Sequence, residues 1–256
     1  QLQQTSDLIT STQTKLATGK RVNSALDNPN NYFTAQGLDN RANDLTNLLD
    51  SMSTAINTIQ AANNGISAIT KLVQSAQSLA SQAQQTSDTT VRASLATQFD
   101  SIRTQIDKLA GDSGFNGINL LNGDNLTVTM NETATSTVTV TGVTDTSNGG
   151  LSINGSTNNW AAASDITAAS TTLTAALTTL RSQAQTLSSS LSTVQIRQDF
   201  TKATINTLQA GSDALTLADS NQEGANLLAL QTRQQLSTTA LSLASQADQN
   251  VLRLFQ

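Results

Sequence analysis

Residues 45–83 read LTNLLDSMSTAINTIQAANNGISAITKLVQSAQSLASQA. Apolar residues recur at every seventh position from Leu45, and a second series runs beside the first from Leu48. The two series are Leu45, Met52, Ile59, Ile66, Val73 and Ala80, and Leu48, Ala55, Ala62, Ile69, Ala76 and Ala83. Six heptads without proline indicate a helix that packs lengthwise on partner helices. At ~1.5 Å per residue, a helix of roughly 40 residues is about 60 Å long, which predicts a rod.

The same seven-residue period returns in the C-terminal half of the chain. One series contains Leu173, Leu180, Leu187 and Val194, and the other contains Leu177, Ala184 and Leu191. Long helices of this kind bury their apolar series by pairing the N-terminal half with the C-terminal half, or with other molecules. The sequence therefore predicts a mainly α fold, a long antiparallel coiled-coil or helical-bundle rod. Gly65 is expected to be a soft point that costs the helix ~1 kcal/mol relative to alanine.

Between the two halves the pattern changes twice. After the polar stretch 85–90, with Ser87 or Asp88 as its N-cap, a second helix is expected to fold back antiparallel on the first. Apolar residues then alternate over 126–130 and 138–143, which predicts two short strands joined by residues 131–135. Residues 145–165 are interpreted as a small surface excursion anchored by Leu151, Ile153 and Trp160. The fold thus carries a small insert with a β-hairpin in its middle.

Composition argues against several classes of function. The chain has no Cys and no His, so the commonest neutral-pH general base and the commonest metal ligand are missing. Its net charge of −5 is unfavourable for binding nucleic acid, which needs clustered Lys and Arg. No apolar run approaches the ~20 residues that span a bilayer. We therefore expect a protein that is not an enzyme, has no cofactor or metal, and has neither a nucleic-acid partner nor a membrane span.

Individual motifs with possible chemistry have simpler interpretations. Thr18-Gly19-Lys20 lacks the upstream glycine and the following Ser or Thr of a phosphate-binding loop, so a turn between helices is favoured. The charged residues of the helices allow two interpretations, ion pairs between neighbouring subunits or solvated side chains. They are Arg41, Asp44, Asp50, Lys71, Arg92, Asp100, Arg103, Asp107 and Lys108.

Four segments, in the expected order, carry a family resemblance. Residues 16–28 (LATGKRVNSALDN) and 61–66 (AANNGI) lie in the N-terminal half, and the turn Phe115, Asn116 and Gly117 precedes the predicted hairpin. The C-terminal segment runs from Ala225-Asn226-Leu227 to Val251-Leu252-Arg253-Leu254-Phe255. Together these segments resemble bacterial flagellins, and specifically small flagellins with a short variable region.

The resemblance implies a structural subunit that self-assembles into the flagellar filament for swimming motility. It implies a segment leading from the filament-core helix into the rod (1–42), the N-terminal rod helices and turn (43–124), a hairpin with a short variable surface region (125–165), a C-terminal rod helix (166–218) and a C-terminal filament-core helix (219–256). It also implies type III export, an extracellular location, an export chaperone on the C-terminal helix, and contacts with filament cap and hook-junction proteins. The filament-core and chaperone-binding residues are then Leu227, Leu230, Leu241, Ala244, Ala247, Val251, Leu254 and Phe255.

Two departures from the family pattern lead to further expectations. The family's N-terminal helix begins upstream of Gln1, so we interpret the chain as truncated at its start and expect it not to form native filaments by itself. Many flagellins also carry an arginine-hydrophobic-arginine-glutamate segment that Toll-like receptor five binds. The aligned residues here are Ser75-Ala76-Gln77-Ser78, without arginine or glutamate, so weak or no recognition by that receptor is expected.

Two alternative functions remain open at the level of sequence. A hook–filament junction protein shares helical ends and export with flagellin, but acts as an adaptor that does not polymerise. A non-polymerising coiled-coil surface adhesin is more distant, because glycan sites usually present exposed aromatics and this chain has one Tyr and one Trp beside five Phe.

Overall fold

The computed structural model describes residues 2–254, and long helices account for most of that range. The helices are α1 (Leu2–Thr18), α2 (Pro29–Gln85), α3 (Thr89–Asp112), α4 (Ala163–Thr216) and α5 (Ser220–Leu254). A two-stranded sheet of β1 (Leu126–Thr129) and β2 (Thr137–Val140) and a short turn at Asn158–Trp160 lie between α3 and α4. The predicted mainly α fold with a small hairpin insert is confirmed.

Helix α2 is longer than the roughly 40 residues expected, because it begins well before the heptads. It has 57 residues and starts at Pro29. The side chain of Asn28 accepts a hydrogen bond from the backbone N–H of Asn31 (3.0 Å), and proline suits the first helical position because it lacks an N–H. The start of α2 is therefore set by a local cap that the periodicity does not reveal.

The described chain forms two compact units. One contains the residues up to Asn43 together with those from Thr204, and the other contains Asp44–Ala203. In the second unit α2 and α4 are antiparallel. Gln77 donates to Thr174 Oγ1 (3.3 Å) and Gln198 donates to Ser53 Oγ (2.8 Å). The residue numbers of each pair add up to 251, so the two helices keep one register over this length.

Gly65 is a point of close packing rather than the expected soft point. A Cβ atom built on Gly65 would overlap Ser113 at the end of α3 and would lie 2.6 Å from Leu121 Cδ1. Since α3 leaves the end of α2 and its last turn returns to Gly65, the two helices run antiparallel, as predicted. The glycine is needed because the 113–121 segment sits directly on the backbone of α2.

The hairpin pairs Leu126 with Val140 and Val128 with Val138. Leu126, Val128 and Val140 are buried, and Met130 N donates to Ser136 O (2.8 Å) just beyond the last ladder pair. Val143, which was expected to continue the second strand, lies outside β2. Residues 145–165, expected as a surface excursion, bury all three of their predicted anchors, with Leu151 2% exposed and Ile153 and Trp160 0% exposed.

Candidate assembly surfaces

The predicted packing residues lie inside the second unit. Most of them are buried: Leu45, Met52, Ile59, Ile66, Ile69, Val73, Leu173, Leu177, Leu180, Leu187 and Val194. Leu48 and Leu191 are half-buried and pack against the same core. The alanines Ala62, Ala76, Ala80 and Ala83 are 0% exposed, because small side chains let the neighbouring elements approach α2 closely. These side chains hold the unit together and are therefore not available for contacts with other molecules.

The turn between α1 and α2 is joined to the end of α4. Gly19 has a φ of +68°, a conformation that glycine adopts without steric cost at the end of a helix. The N–H of Ala218 donates to Gly19 O (2.9 Å), and the N–H of Arg21 donates to Thr216 O (2.7 Å). The Arg21 guanidinium also donates to Ala214 O (3.0 Å). The loop thereby satisfies carbonyls at the C-terminal end of α4 that have no partner within the helix.

Asp27 organises the same turn from within. Its Oδ2 accepts hydrogen bonds from the N–H groups of Asn23 and Ser24, both at 2.9 Å, and from Ser24 Oγ at 3.2 Å. The backbone bonds from Asn23 and then Ser24 lower the pKa of Asp27 below its ordinary value. The neighbouring Leu26 is 96% exposed, so a rigid turn holds an apolar side chain in solvent.

Helices α1 and α5 pack against each other in the first unit. Thr5 and Thr12 of α1 are buried, and Lys15 Nζ lies 3.9 Å from Glu223 Oε1 of α5. A groove of about 320 Å³ follows this pair and is lined by residues of both helices. Leu227 and Leu230 are half-buried on α5.

The distal part of α5 is exposed. Every side chain from residue 238 to 250 is exposed, which includes Leu241, Ala244 and Ala247. Leu228, Leu236, Leu241 and Leu243 are each between 60% and 67% exposed. Val251 and Leu254 lie on α5 at positions whose side chains are not described, and Phe255 is outside the described residues. A long exposed helix with several apolar side chains is marginal in water until a partner covers it.

The turn at Phe115–Ile118 reverses the chain with two hydrogen bonds. Phe115 and Ile118 exchange N–H and C=O bonds of 2.9 and 3.1 Å. Asn116 and Gly117 have φ values of +50° and +80°, which are the requirements of a type I′ turn and explain why Asn-Gly occupies it. Phe115 is 40% exposed.

Asn119, which the sequence pattern did not single out, caps the C-terminal end of α3. Its Nδ2 donates to Ala110 O and to Gly111 O, both at 2.8 Å, and its Oδ1 accepts from Leu121 N at 3.0 Å. The sequence feature that could have identified Asn119 is a polar residue between two apolar neighbours just after the end of a predicted helix.

Three charged residues of α3, Asp100, Arg103 and Asp107, bind the chain's own surface segment, a role that differs from both subunit ion pairs and solvated side chains. Asp107 accepts bonds from the N–H and, at 3.0 Å, the hydroxyl of Ser147. Asp100 likewise accepts hydrogen bonds from the backbone N–H and the hydroxyl of Ser156. Arg103 donates to Ile153 O at 2.9 Å and to Asn148 Oδ1 at 2.7 Å.

Arg92, near the start of α3, donates hydrogen bonds to Ala83 O, Thr86 O and Ala161 O, at 3.2, 2.7 and 3.0 Å.

Asp100, Arg103 and Asp107 are spaced three and four residues apart and therefore share one face of α3. Together they fasten residues 147–156 to α3.

Residues 2–254 contain neither a cluster of metal-binding side chains nor a helix that could span a membrane. No group of three or more Asp and Glu side chains is placed to hold a metal ion there. None of the helices in that range combines the length and apolar character needed to cross a bilayer.

Comparison with known proteins agrees with this geometry. The family model for the bacterial flagellin N-terminal helical region matches residues 1–126, and the model for the bacterial flagellin C-terminal helical region matches residues 164–255. The chain belongs to the bacterial flagellin family. The resemblance carried by the four segments is thus confirmed, and the part between the two flagellin regions, 127–163, holds most of the hairpin and the anchored surface segment.

Individual flagellins match shorter stretches. Flagellin A of Rhizobium meliloti strain 1021 is 42% identical over 65 residues, which are 25% of this chain and 16% of that protein. The flagellin of Brucella melitensis biotype 1 is 37% identical over 65 residues, 25% of this chain and 23% of that protein. The matched stretch therefore spans less than a quarter of these relatives. The crystal structure of Bacillus cereus flagellin shares the fold, with a TM-score of 0.50 at 22% identity, over 60% of this chain and 88% of that one.

Proposed function

We propose that this chain is a structural subunit of the bacterial flagellar filament. The observation that carries the proposal is the exposed stretch of α5 from 238 to 250, which has leucines in solvent and lies within the matched flagellin C-terminal region. Burying such leucines stabilises an assembly by ~25 cal/mol per Å² of apolar surface. Contacts between different faces of identical subunits do not close, so they propagate as a helical polymer.

The terminal segments have the central role in this proposal. Residues 219–256 form the filament-core helix, and residues 1–42 lead from the filament core into the rod. The rod parts 43–124 and 166–218 form the layer around the core, with 125–165 on the outside. Support comes from the contrast between the buried heptad residues of the second unit and the exposed α5. The subunit has a mechanical role and catalyses no reaction, and it needs no cofactor.

Immunogold electron microscopy tests the proposal against its alternatives. Antibodies raised against the purified chain are applied to the source bacterium, and pre-immune serum is the control. We expect gold along the whole filament. Gold confined to the filament base would indicate a hook–filament junction protein, and gold over the cell body would indicate a surface adhesin. Either of these patterns contradicts the proposal.

Assembly is expected to depend on the exposed leucines of α5. The double variant Leu241→Ser, Leu243→Ser removes apolar surface that nothing in the described chain covers, so the fold is retained while incorporation into filaments is lost. The matched control is Gln249→Ser, an exposed polar position on the same helix. Circular dichroism checks the fold, and electron microscopy of sheared filaments checks incorporation. Incorporation of the double variant at the level of the control contradicts this role.

Further partners follow from the same surface. An export chaperone covers α5 before type III export to the cell exterior, and cap and hook-junction proteins meet the filament ends. Binding of the flagellar export chaperone of the source bacterium, measured by calorimetry, is expected to weaken at least tenfold in the Leu241→Ser, Leu243→Ser variant. Unchanged affinity places the chaperone site elsewhere.

Recognition by Toll-like receptor five is expected to be weak or absent. At the aligned positions Ala76 is buried, Gln77 is half-buried and bonded to Thr174, and Ser75 and Ser78 are exposed. Short neutral side chains cannot supply the bidentate bonds of arginine. A reporter assay beside an arginine-bearing flagellin measures this, and equal potency of the two proteins contradicts it.

A further inference from the structure

Asp145 is an ionisable side chain fully inside the second unit. The residue is 0% exposed, and its backbone N–H donates to Leu121 O at 2.9 Å. Gln183 of α4 donates from Nε2 to Asp145 Oδ1 at 2.8 Å. The pair joins the start of the surface segment to α4, at the opposite end of that segment from Trp160.

The remaining oxygens of this pair have no partner. Asp145 Oδ2 and Gln183 Oε1 are both buried and accept no hydrogen bond. One proton shared between these two acceptor oxygens would satisfy both of them. A protonated carboxyl supplies it, because a carboxylic acid and a primary amide can form a ring of two hydrogen bonds, N–H to Oδ1 and Oδ2–H to Oε1.

We propose that Asp145 and Gln183 form a latch between residues 144–153 and α4 that is strengthened by acid. With the proton in place the pair has two hydrogen bonds and no buried charge. Without it the carboxylate keeps a single donor in a site closed to water, and the segment opens more readily.

No nearby charge compensates the carboxylate. The acidic neighbours Asp107 and Asp124 accept bonds from Ser147 and from the N–H of Asn119. On the elements around the pair, Lys71, Lys108 and Arg181 are exposed and are not bonded to it. Arg103 is occupied by Ile153 O and Asn148. Burial consequently raises the pKa of Asp145 to about 6, while the smaller effect of the Gln183 bond lowers it.

The direction of the pH effect follows from this raised pKa. The folded segment holds the proton more tightly than the open one, so closure is fully favoured below the ordinary carboxyl pKa of 3.8. That advantage is lost as pH rises towards about 6. The opening equilibrium is therefore expected to shift by about fiftyfold between pH 4 and pH 7.

Hydrogen exchange of the native chain tests the latch. The probe is the amide of Ile153, which donates to Ser147 O at 2.7 Å, with rates corrected for the intrinsic effect of pH. In Asp145→Asn, an amide replaces the protonated acid, so the two-bond ring forms at every pH. The opening constant of the wild type divided by that of the variant is expected to rise by about fiftyfold from pH 4 to pH 7. The exposed Asp50→Asn removes one carboxylate without affecting the pair, so its ratio stays flat.

A rise in the Asp145→Asn ratio of less than threefold overturns the proposal. If the variant does not fold, the side-chain carboxyl signal of Asp145 in the unmodified chain decides the question by NMR titration. A midpoint near 6 supports the latch, and a midpoint near 4 overturns it.

Discussion

At the scale of single residues, the neighbours that the fold places around Gly65 determine how this residue affects stability. Gly65 lies in the middle of α2 with Ser113 and Leu121 against it. Gly65→Ala is expected to destabilise the second unit by about 1–3 kcal/mol, because the added methyl overpacks the contact and outweighs the better helix propensity of alanine. Urea denaturation followed by the fluorescence of Trp160, the single Trp of the chain, measures it.

The same substitution at Gly37 is the control on the same helix. A Cβ at Gly37 meets nothing within 4 Å, so Gly37→Ala is expected to stabilise the chain by about 0.5–1 kcal/mol through helix propensity alone. If both substitutions changed the free energy of unfolding in the same direction, packing at Gly65 would not determine the effect of Gly65→Ala.

Asp27 has the opposite pH behaviour from Asp145. Because backbone N–H groups hold its pKa below 3.8, its contribution to the turn at 19–28 is present above the ordinary carboxyl pKa and is lost as pH falls through the lowered value. The amide NMR shifts of Asn23 and Ser24 are expected to change on acidification below pH 4. In Asp27→Asn those amides should be displaced already at pH 7, and unchanged amides would contradict the role of the carboxylate.

At the scale of elements, α3 is the anchor of the surface segment. Asp100→Ala leaves the N–H and hydroxyl of Ser156 and one Arg103 donor without this carboxylate. A loss of about 1 kcal/mol of local stability is expected, because partly buried donors lose their acceptor and are only partly rehydrated. Trp160 packs on Phe99 of α3 with ring centroids 4.9 Å apart. In Asp100→Ala the emission of Trp160 should therefore shift to the red at a lower urea concentration than in the unsubstituted chain.

Lys108→Ala is the matched variant, since Lys108 is an exposed charged residue of the same helix. It should leave the transition of Trp160 unchanged. Equal effects of the two variants would mean that the segment is held by its apolar anchors alone.

At the scale of the whole molecule, the two units bury different amounts of apolar surface. The continuous apolar core consists of residues between Met52 and Val194, all in the second unit. Among the described residues, the first unit buries few large apolar side chains, and every side chain of α5 from 238 to 250 is exposed. Amides of α5 beyond 237 are therefore expected to exchange at least a hundredfold faster than those of α2 between Ile59 and Val73.

Hydrogen exchange of the isolated chain by mass spectrometry checks this difference. On addition of filament seeds or an export chaperone, protection of α5 should rise while that of α2 stays constant. Uniform protection of both helices in a monomer would show that α5 is stable without a partner.

The sequence by itself determined the helical class, the antiparallel return of α3, the hairpin and the family, because heptads, caps and turn residues act over short distances along the chain. It also determined which side chains of α2 and α4 are buried in heptads. Tertiary structure alone decided that Ser113 and Leu121 pack against Gly65. It also decided that Asp100, Arg103 and Asp107 bind the chain's own surface segment, and that Asn119 caps the C-terminal end of α3. These roles depend on partners between 8 and 56 residues away, which periodicity cannot specify. The pairing of Asp145 with Gln183 belongs to the same class, since only packing removes its carboxylate from water.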